Sequence, residues 1–165
     1  MLRSKDNLYS EIASFIKDAK DLVIMSPYIK SSALKELLSN TSCEDITIVT
    51  SWKPRDVKFG ATDLDVYRIC KSRNIFLYIN NNIHLKIICK NDRSAIISSS
   101  ANITNRGLAL GGRYNFEMGS ITKNPEIDDD LYIESIIADE NTFLVNDEYY
   151  NKIKEESDKI EINKD

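Results

Sequence analysis

Near the start of the chain, Leu8, Ile12, Phe15, Ile16 and Ala19 recur three and four residues apart, which predicts an amphipathic helix. The pattern then tightens into a continuous run, Asp21-Leu22-Val23-Ile24-Met25-Ser26-Pro27, predicting a buried strand stopped by proline. Ser31 or Ser32 is placed to cap a helix through Ala33, Leu34, Leu37 and Leu38, and Asp45 to Trp52 predicts a second strand. A third helix is expected from Thr62-Asp63, with Leu64, Tyr67, Ile69 and Cys70 inward, then a strand from Ile75 to Ile79. Helix and strand alternate up to this point, which predicts an α/β sandwich that begins with parallel strands.

Beyond residue 80 the rhythm changes. Ile83–Cys89 and Ala95–Ser99 are two short strand-like runs flanking Lys90-Asn91-Asp92-Arg93, a polar hairpin turn. Tyr114 to Thr122 predicts a further strand after a Gly-rich stretch, and residues 126–158 read as helical with a break near Asn146. No internal repeat or low-complexity linker interrupts the pattern, so one domain is expected over residues 1–158, with 159–165 as a frayed tail.

Composition narrows the class. The chain has 165 residues, 42% hydrophobic and 29% charged, as for an ordinary soluble domain, and no apolar run approaches a membrane span. The N-terminal segment lacks the continuous apolar core of a secretory signal. Cys43, Cys70 and Cys89 are odd in number and widely spaced, which suits buried thiols in a reducing cytoplasm. One histidine and no clustered cysteines argue against zinc, and no other metal or cofactor is expected. The net charge of −4 conceals an asymmetry: residues 1–124 carry 18 bases and 12 acids, a net of +6, whereas residues 125–165 carry 4 bases and 14 acids, a net of −10. The basic part suits a phosphate-bearing polymer, and the acidic part reads as a solvated helical face.

That basic part holds the single histidine, His84. Histidine is the residue type that attacks, donates and accepts protons near neutral pH. In a strand, Lys86 two residues on would share its face. If the two hairpin strands pair, the Ser98-Ser99-Ser100-Ala101-Asn102 end of the second lies beside the start of the first. An imidazole, an ammonium, a hydroxyl and an amide would then converge, a suitable set for a tetrahedral oxyanion.

His84, Lys86, Asp92, Ser100 and Asn102 together resemble the signature of the phospholipase D superfamily: H-x-K, four residues, Asp, six residues, Gly-Ser, one or two residues, Asn. Two features depart from it. Five residues separate Lys86 from Asp92, and Ser99 stands where glycine is usual; Asn91 occupies the strict spacing. Ser26-Pro27-Tyr28-Ile29 resembles the segment these enzymes place at the edge of the active site, and Asn115-Phe116-Glu117 resembles their N-x-E, whose glutamate orients the histidine. The resemblance covers residues 1 to about 140 and implies a phospholipase D-like α/β/α sandwich, with a mixed, mostly parallel sheet flanked by helices.

It further implies a metal-independent phosphodiesterase. Superfamily sites use two copies of the motif and this chain has one, so a homodimer is expected, with the active site at its two-fold interface. His84 would be nucleophile and general acid; Lys86, Asn102 and Ser100 would hold the phosphate, and Glu117 would fix the His84 tautomer. Asp92, Arg106, Arg113 and Tyr28 are the further candidates for substrate contact, while Trp52 is a core aromatic or a stacking surface. The size, single motif and basic part favour a nuclease, similar to the catalytic domains of metal-independent restriction endonucleases, acting on DNA or RNA in the cytoplasm without a membrane partner. Two alternatives are a lipid phosphodiesterase, which would want an exposed apolar cluster that the sequence does not reveal, and a silent nucleic-acid-binding module.

Overall fold

The apolar stripe at three- and four-residue spacing forms α1 (Leu8–Lys17), which buries Leu8, Ile12, Phe15 and Ile16. The structure, a computed structural model, describes residues 1–162. Before α1 comes a two-residue strand, β1 (Leu2–Arg3); after it follow β2 (Asp21–Met25), α2 (Ser31–Leu38), β3 (Asp45–Thr50), α3 (Pro54–Lys58), α4 (Val66–Ser72) and β4 (Phe76–Ile79). The chain continues through β5 (Ile87–Lys90), β6 (Ala95–Ser99), β7 (Met118–Lys123), α5 (Ile127–Ile137), β8 (Phe143–Leu144) and α6 (Asp147–Asp158). Among the described residues these strands form one sheet in the order β1-β7-β6-β5-β2-β3-β4-β8.

The sheet is covered on both faces, as expected of an α/β/α sandwich. One core joins α1, α2, α4 and α6 to one face through residues such as Ile16, Leu34, Cys70, Ile153 and the fully buried Trp52. The other joins α5 to Val23, Met25, Val49, Ile87 and Cys89 through Ile133, Ile136 and Ile137. Helix α5 starts with a reciprocal capping box between Glu126 and Asp129, and Asp128, Asp129 and Asp130 sit in its first turn, where the helix dipole favours acids.

The expectation of a mostly parallel sheet is corrected. Only β2–β3 and β3–β4 are parallel; the other five pairings are antiparallel. The helical connections end at β4. The turn between β5 and β6 is far too short for a parallel crossover, which needs a dozen residues or more, so β6 must run against β5.

Other boundaries shift for local reasons. The strand expected over Ile83–Cys89 begins at Ile87, and that expected from Tyr114 begins at Met118. Thr62 and Asp63 do not start a helix: the Thr62 hydroxyl accepts from the Ile29 amide (3.1 Å) and the Asp63 carboxylate from the Ser31 amide (2.7 Å), which pins the start of α2. The helical stretch 126–158 is split by β8, with Asn146 capping α6 by accepting from the Tyr149 amide at 2.8 Å. Of the tail expected at 159–165, residues 163–165 lie outside the described residues. No helix among the described residues is long and apolar enough to cross a membrane.

Candidate active site

Strands β5, β6 and β7 run out together, and their registers say what meets there. Ile87 pairs with Ser98, and Ser99 pairs with Gly119. The Ser99 amide still donates to the Lys86 carbonyl at 3.1 Å, so Lys86, Ser99 and Gly119 share one row across three strands. Two residues further on, Ala101 follows β6, Glu117 precedes β7 and His84 lies on the loop that leads into β5. The Ser4 amide donates to the Glu117 carbonyl at 3.1 Å.

The Lys86 row is closely packed where it carries small residues. A Cβ on Gly119 would lie 2.6 Å from Ser99 Cβ and 2.7 Å from the Ser98 carbonyl oxygen, closer than real side chains allow. Lys86 lines a small cavity there together with Ser26, Ser99, Ala101 and Ile103.

Asn102 follows β6 and is held by the segment after β2. Its Oδ1 accepts from the Tyr28 amide at 3.3 Å and lies 3.2 Å from Ser26 Oγ. A backbone N–H can only donate, so this contact fixes which end of the amide is oxygen. The Nδ2 group, with both its donors, is therefore turned away from Tyr28. Ser26 Oγ also contacts the Tyr28 carbonyl (2.8 Å) and accepts from the Ile103 amide (3.2 Å), while a parallel bridge joins Ile29 to Ile103. Buried Ser26 is thus a positioning residue that sequence reasoning named only as part of a segment.

His84 is exposed, on the loop between β4 and β5 rather than within a strand. That loop is tied down by its asparagines. Asn80 is buried; its Oδ1 accepts from the Asn82 amide (2.9 Å) and its Nδ2 donates to Thr142 Oγ1 (2.8 Å). Asn81 Oδ1 accepts from the Trp52 amide (2.8 Å) and Ser51 Oγ (3.1 Å). His84 lines a groove of about 440 Å³ whose other wall is the C-terminal end of α5, including Tyr132, Ser135 and Asp139.

Glu117 is half-buried, and its Oε2 accepts from Ser100 Oγ. The Met118 amide donates to the same Ser100 oxygen at 3.1 Å. Behind the glutamate, its own amide donates to Ser4 Oγ at 2.8 Å. Ser4 gave no signal in the sequence because β1 is too short to show alternation.

The remaining candidates separate. Tyr28 contributes its backbone amide to Asn102. Arg106 and Arg113 are exposed on the loop between β6 and β7, closed where the Asn115 amide donates to the Arg106 carbonyl at 3.0 Å. Asp92 is not brought to the cluster. It is exposed at the far tip of the β5–β6 hairpin, its amide donating to the Asp21 carboxylate at 2.9 Å. Asn91, the residue at the strict spacing, accepts from the Lys20 amide at 2.8 Å on that same tip. Trp52 is buried in the core, which removes it as a stacking surface. Cys43, Cys70 and Cys89 are free and buried; burial pushes Cys70 and Cys89 up to about 12, so these two thiols are inert near neutral pH.

Comparison with known proteins bears on the family and the fold. A family described as "Cardiolipin synthase, PLD-like domain" matches residues 12–134. No curated protein matches the chain. Among solved structures, Nuc from Salmonella typhimurium, a phospholipase D family member, is similar with a TM-score of 0.66 at 16% identity, over 88% of this chain and 95% of that one. Phosphatidylserine synthase from Haemophilus influenzae Rd KW20 is similar with a TM-score of 0.60 at 16% identity, over 91% of this chain but 40% of the larger one. NucT from Helicobacter pylori gives 0.52 at 13% identity, over 89% and 87%. With the family matched across most of its length and the fold shared, the chain belongs to the phospholipase D superfamily.

Proposed function

We propose that this protein is a metal-independent phosphodiesterase, a nuclease of DNA or RNA that works through a covalent phosphohistidine in a homodimeric active site. The observation that carries this reading is the fixed amide of Asn102: its oxygen is occupied by the Tyr28 amide, which leaves its donors for an anion, and Ser26, which contacts that oxygen, shares a small cavity with Lys86. Two copies of that arrangement around one phosphate give two ammonium groups and two amide donors for the non-bridging oxygens. This matches the charge of a phosphoryl group passing through its transition state.

In this mechanism Nε2 of one His84 attacks phosphorus as the bond to the leaving oxygen breaks, and the partner's His84 gives that oxygen its proton. The second imidazole then takes a proton from water, the hydroxide attacks phosphorus, and the phosphorus–nitrogen bond breaks. Glu117 has the role of accepting Nδ1–H of His84. Its Oε2 accepts from Ser100, which holds the carboxylate, while Ser4 holds the Glu117 backbone and Oε1 is left for the histidine. Cleavage of labelled oligonucleotides in excess EDTA tests the reading. The native protein should cut and His84→Ala should not; activity abolished by EDTA would overturn the mechanism.

A second reading, a phosphodiesterase of lipid head groups, is favoured by one observation. Phe116 (92% exposed), Met118 (53%) and Met1 (70%) are large apolar residues exposed on or next to the paired strands β1 and β7, the first two flanking Glu117 in the chain. Hydrolysis of short-chain phosphatidyl substrates, with oligonucleotides left intact, would establish it.

A further inference from the structure

The ground around His84 has two unlike flanks. On one, the groove wall from α5 carries exposed Asp139, with Glu140 beyond it, at the end of an acidic helix. On the other, across β6 and β7, the loop between those strands carries exposed Arg106 and Arg113. There Tyr114 and Phe116 pack edge-to-face with ring centroids 5.4 Å apart, and Lys5 Nζ lies 4.7 Å from the Tyr114 ring centroid. Phe116 is the most exposed large hydrophobic residue among those described, at 92%. It immediately precedes Glu117, and the Tyr114 ring holds it from one side.

Resting on the nuclease reading above, we propose that the substrate is single-stranded nucleic acid, whose strand leaves His84 across the basic flank and stacks a base on Phe116, while the acidic end of α5 repels a second strand. Charge chooses the direction. A polyanion held at Lys86 meets Arg106, Arg113 and Lys5 one way, and Asp139 and Glu140 the other. A single strand has room to follow the favourable side alone. A duplex brings a second phosphate backbone, and from this pocket it has the α5 side left to occupy. Chemistry chooses the contact: an open aromatic face beside cationic groups is what binds unpaired bases without regard to sequence. A lipid surface would use the same apolar residues, but a flat anionic sheet would press on both flanks, the acidic one included.

The test is binding by the full-length His84→Ala protein, so that turnover does not intrude, to fluorescent single-stranded oligonucleotides, the duplex of the same sequence, and an abasic strand of equal length. Single strands should bind at least tenfold more tightly than duplex and than abasic strand. Adding Phe116→Ala should lower single-strand affinity about tenfold, as expected for losing one stacked base. It should also erase the preference over abasic strand, and Phe116→Trp should restore it. Asp139→Asn with Glu140→Gln should raise duplex affinity severalfold. Equal binding of all three ligands, with no effect of Phe116→Ala, overturns this inference and leaves the nuclease reading standing. A Phe116→Ala protein that turns monomeric by light scattering assigns the residue to subunit contact and also overturns it. If no oligonucleotide binds and vesicles of anionic phospholipid do, the nuclease reading fails as well.

Discussion

Gly107→Ala is the substitution that best separates the positioning of the site from its chemistry. Gly107 lies in the turn after Asn102, and a Cβ there would sit 2.3 Å from the Asn102 carbonyl oxygen, 2.9 Å from Thr104 Oγ1 and 3.2 Å from the Asn102 amide nitrogen. Two of these three atoms are backbone, so no rotamer change relieves the contact. An ordinary separation requires about 1 Å of movement, and the group that moves carries Asn102. Overpacking of this kind costs about 1–3 kcal/mol, offset by less than about 1 kcal/mol from the reduced freedom of the unfolded chain. The expected loss of stability is about 1–2 kcal/mol in urea unfolding, which leaves the protein folded at 25 °C. Activity should fall further than stability, because a displacement near 1 Å can cost about 100-fold in rate. Gly111→Ala is the control. Gly111 has φ +74 and nothing within 4 Å, so alanine there meets backbone strain in open space, costing about 1–2 kcal/mol while Asn102 stays in place. The assay is the initial rate of EDTA-resistant oligonucleotide cleavage for both variants at matched folded fraction. Equal rates for Gly107→Ala and Gly111→Ala would refute the positioning of Asn102 by this turn.

Three further outcomes follow from the same geometry. Titrating His84→Ala protein into native protein, with subunit exchange, should lower activity below simple dilution, because each mixed dimer holds a single histidine; strictly proportional loss would show that the monomer is the active unit. Asp92→Asn keeps a residue tolerant of the left-handed φ of 56 at the hairpin tip, and should leave cleavage rate and stability unchanged within twofold and about 0.5 kcal/mol; a large rate loss would return Asp92 to the site. Burial raises Cys70 and Cys89 from an ordinary 9.0 to about 12, so the native state keeps two protons that the unfolded chain loses above pH 9. Stability should therefore be intact below pH 9 and fall by up to about 1.4 kcal/mol per pH unit per thiol between pH 9 and 12, with Cys70→Ala and Cys89→Ala each removing one share of the slope.

Legibility in the sequence followed the length of the periodic signal. Helix α1 and strands β2 and β3 have continuous patterns and were readable, as was the change of rhythm after residue 80. What was missed depends on single contacts between distant segments. Strands β1 and β8 are two residues long and exist because Leu2 pairs with Gly119 and Leu144 with Tyr78. The sheet's direction was misjudged because the expectation of a mostly parallel sheet outweighed the hairpin that the polar turn after Cys89 predicts, and because β1 and β8, both antiparallel, are too short to be read. At the site, His84, Lys86, Ser100, Asn102 and Glu117 stood out by type and spacing. Ser26 and Ser4, which hold Asn102 and Glu117, did not, since a serine that supports from behind looks like any other serine.

The candidate site lies where three antiparallel strands, β5, β6 and β7, stop at a common level. Rows such as Ile88–Ile97–Ile121 lie within the sheet, with Ile88 and Ile97 buried. Two rows nearer the edge, Lys86, Ser99 and Gly119 replace them; a large residue at Gly119 would collide with Ser99. The polar, small positions of this row are therefore ones where little apolar burial is lost. The costs sit instead in the supports: buried Ser26, buried Asn80, and the close packing of Gly107 on Asn102. This division means that removing the exposed His84 should abolish chemistry at almost no cost in stability, whereas altering the supports should cost both. Since each chain presents one His84 and one such edge, the proposed mechanism requires two edges around a phosphate, and a monomer that cleaves at full rate would refute it.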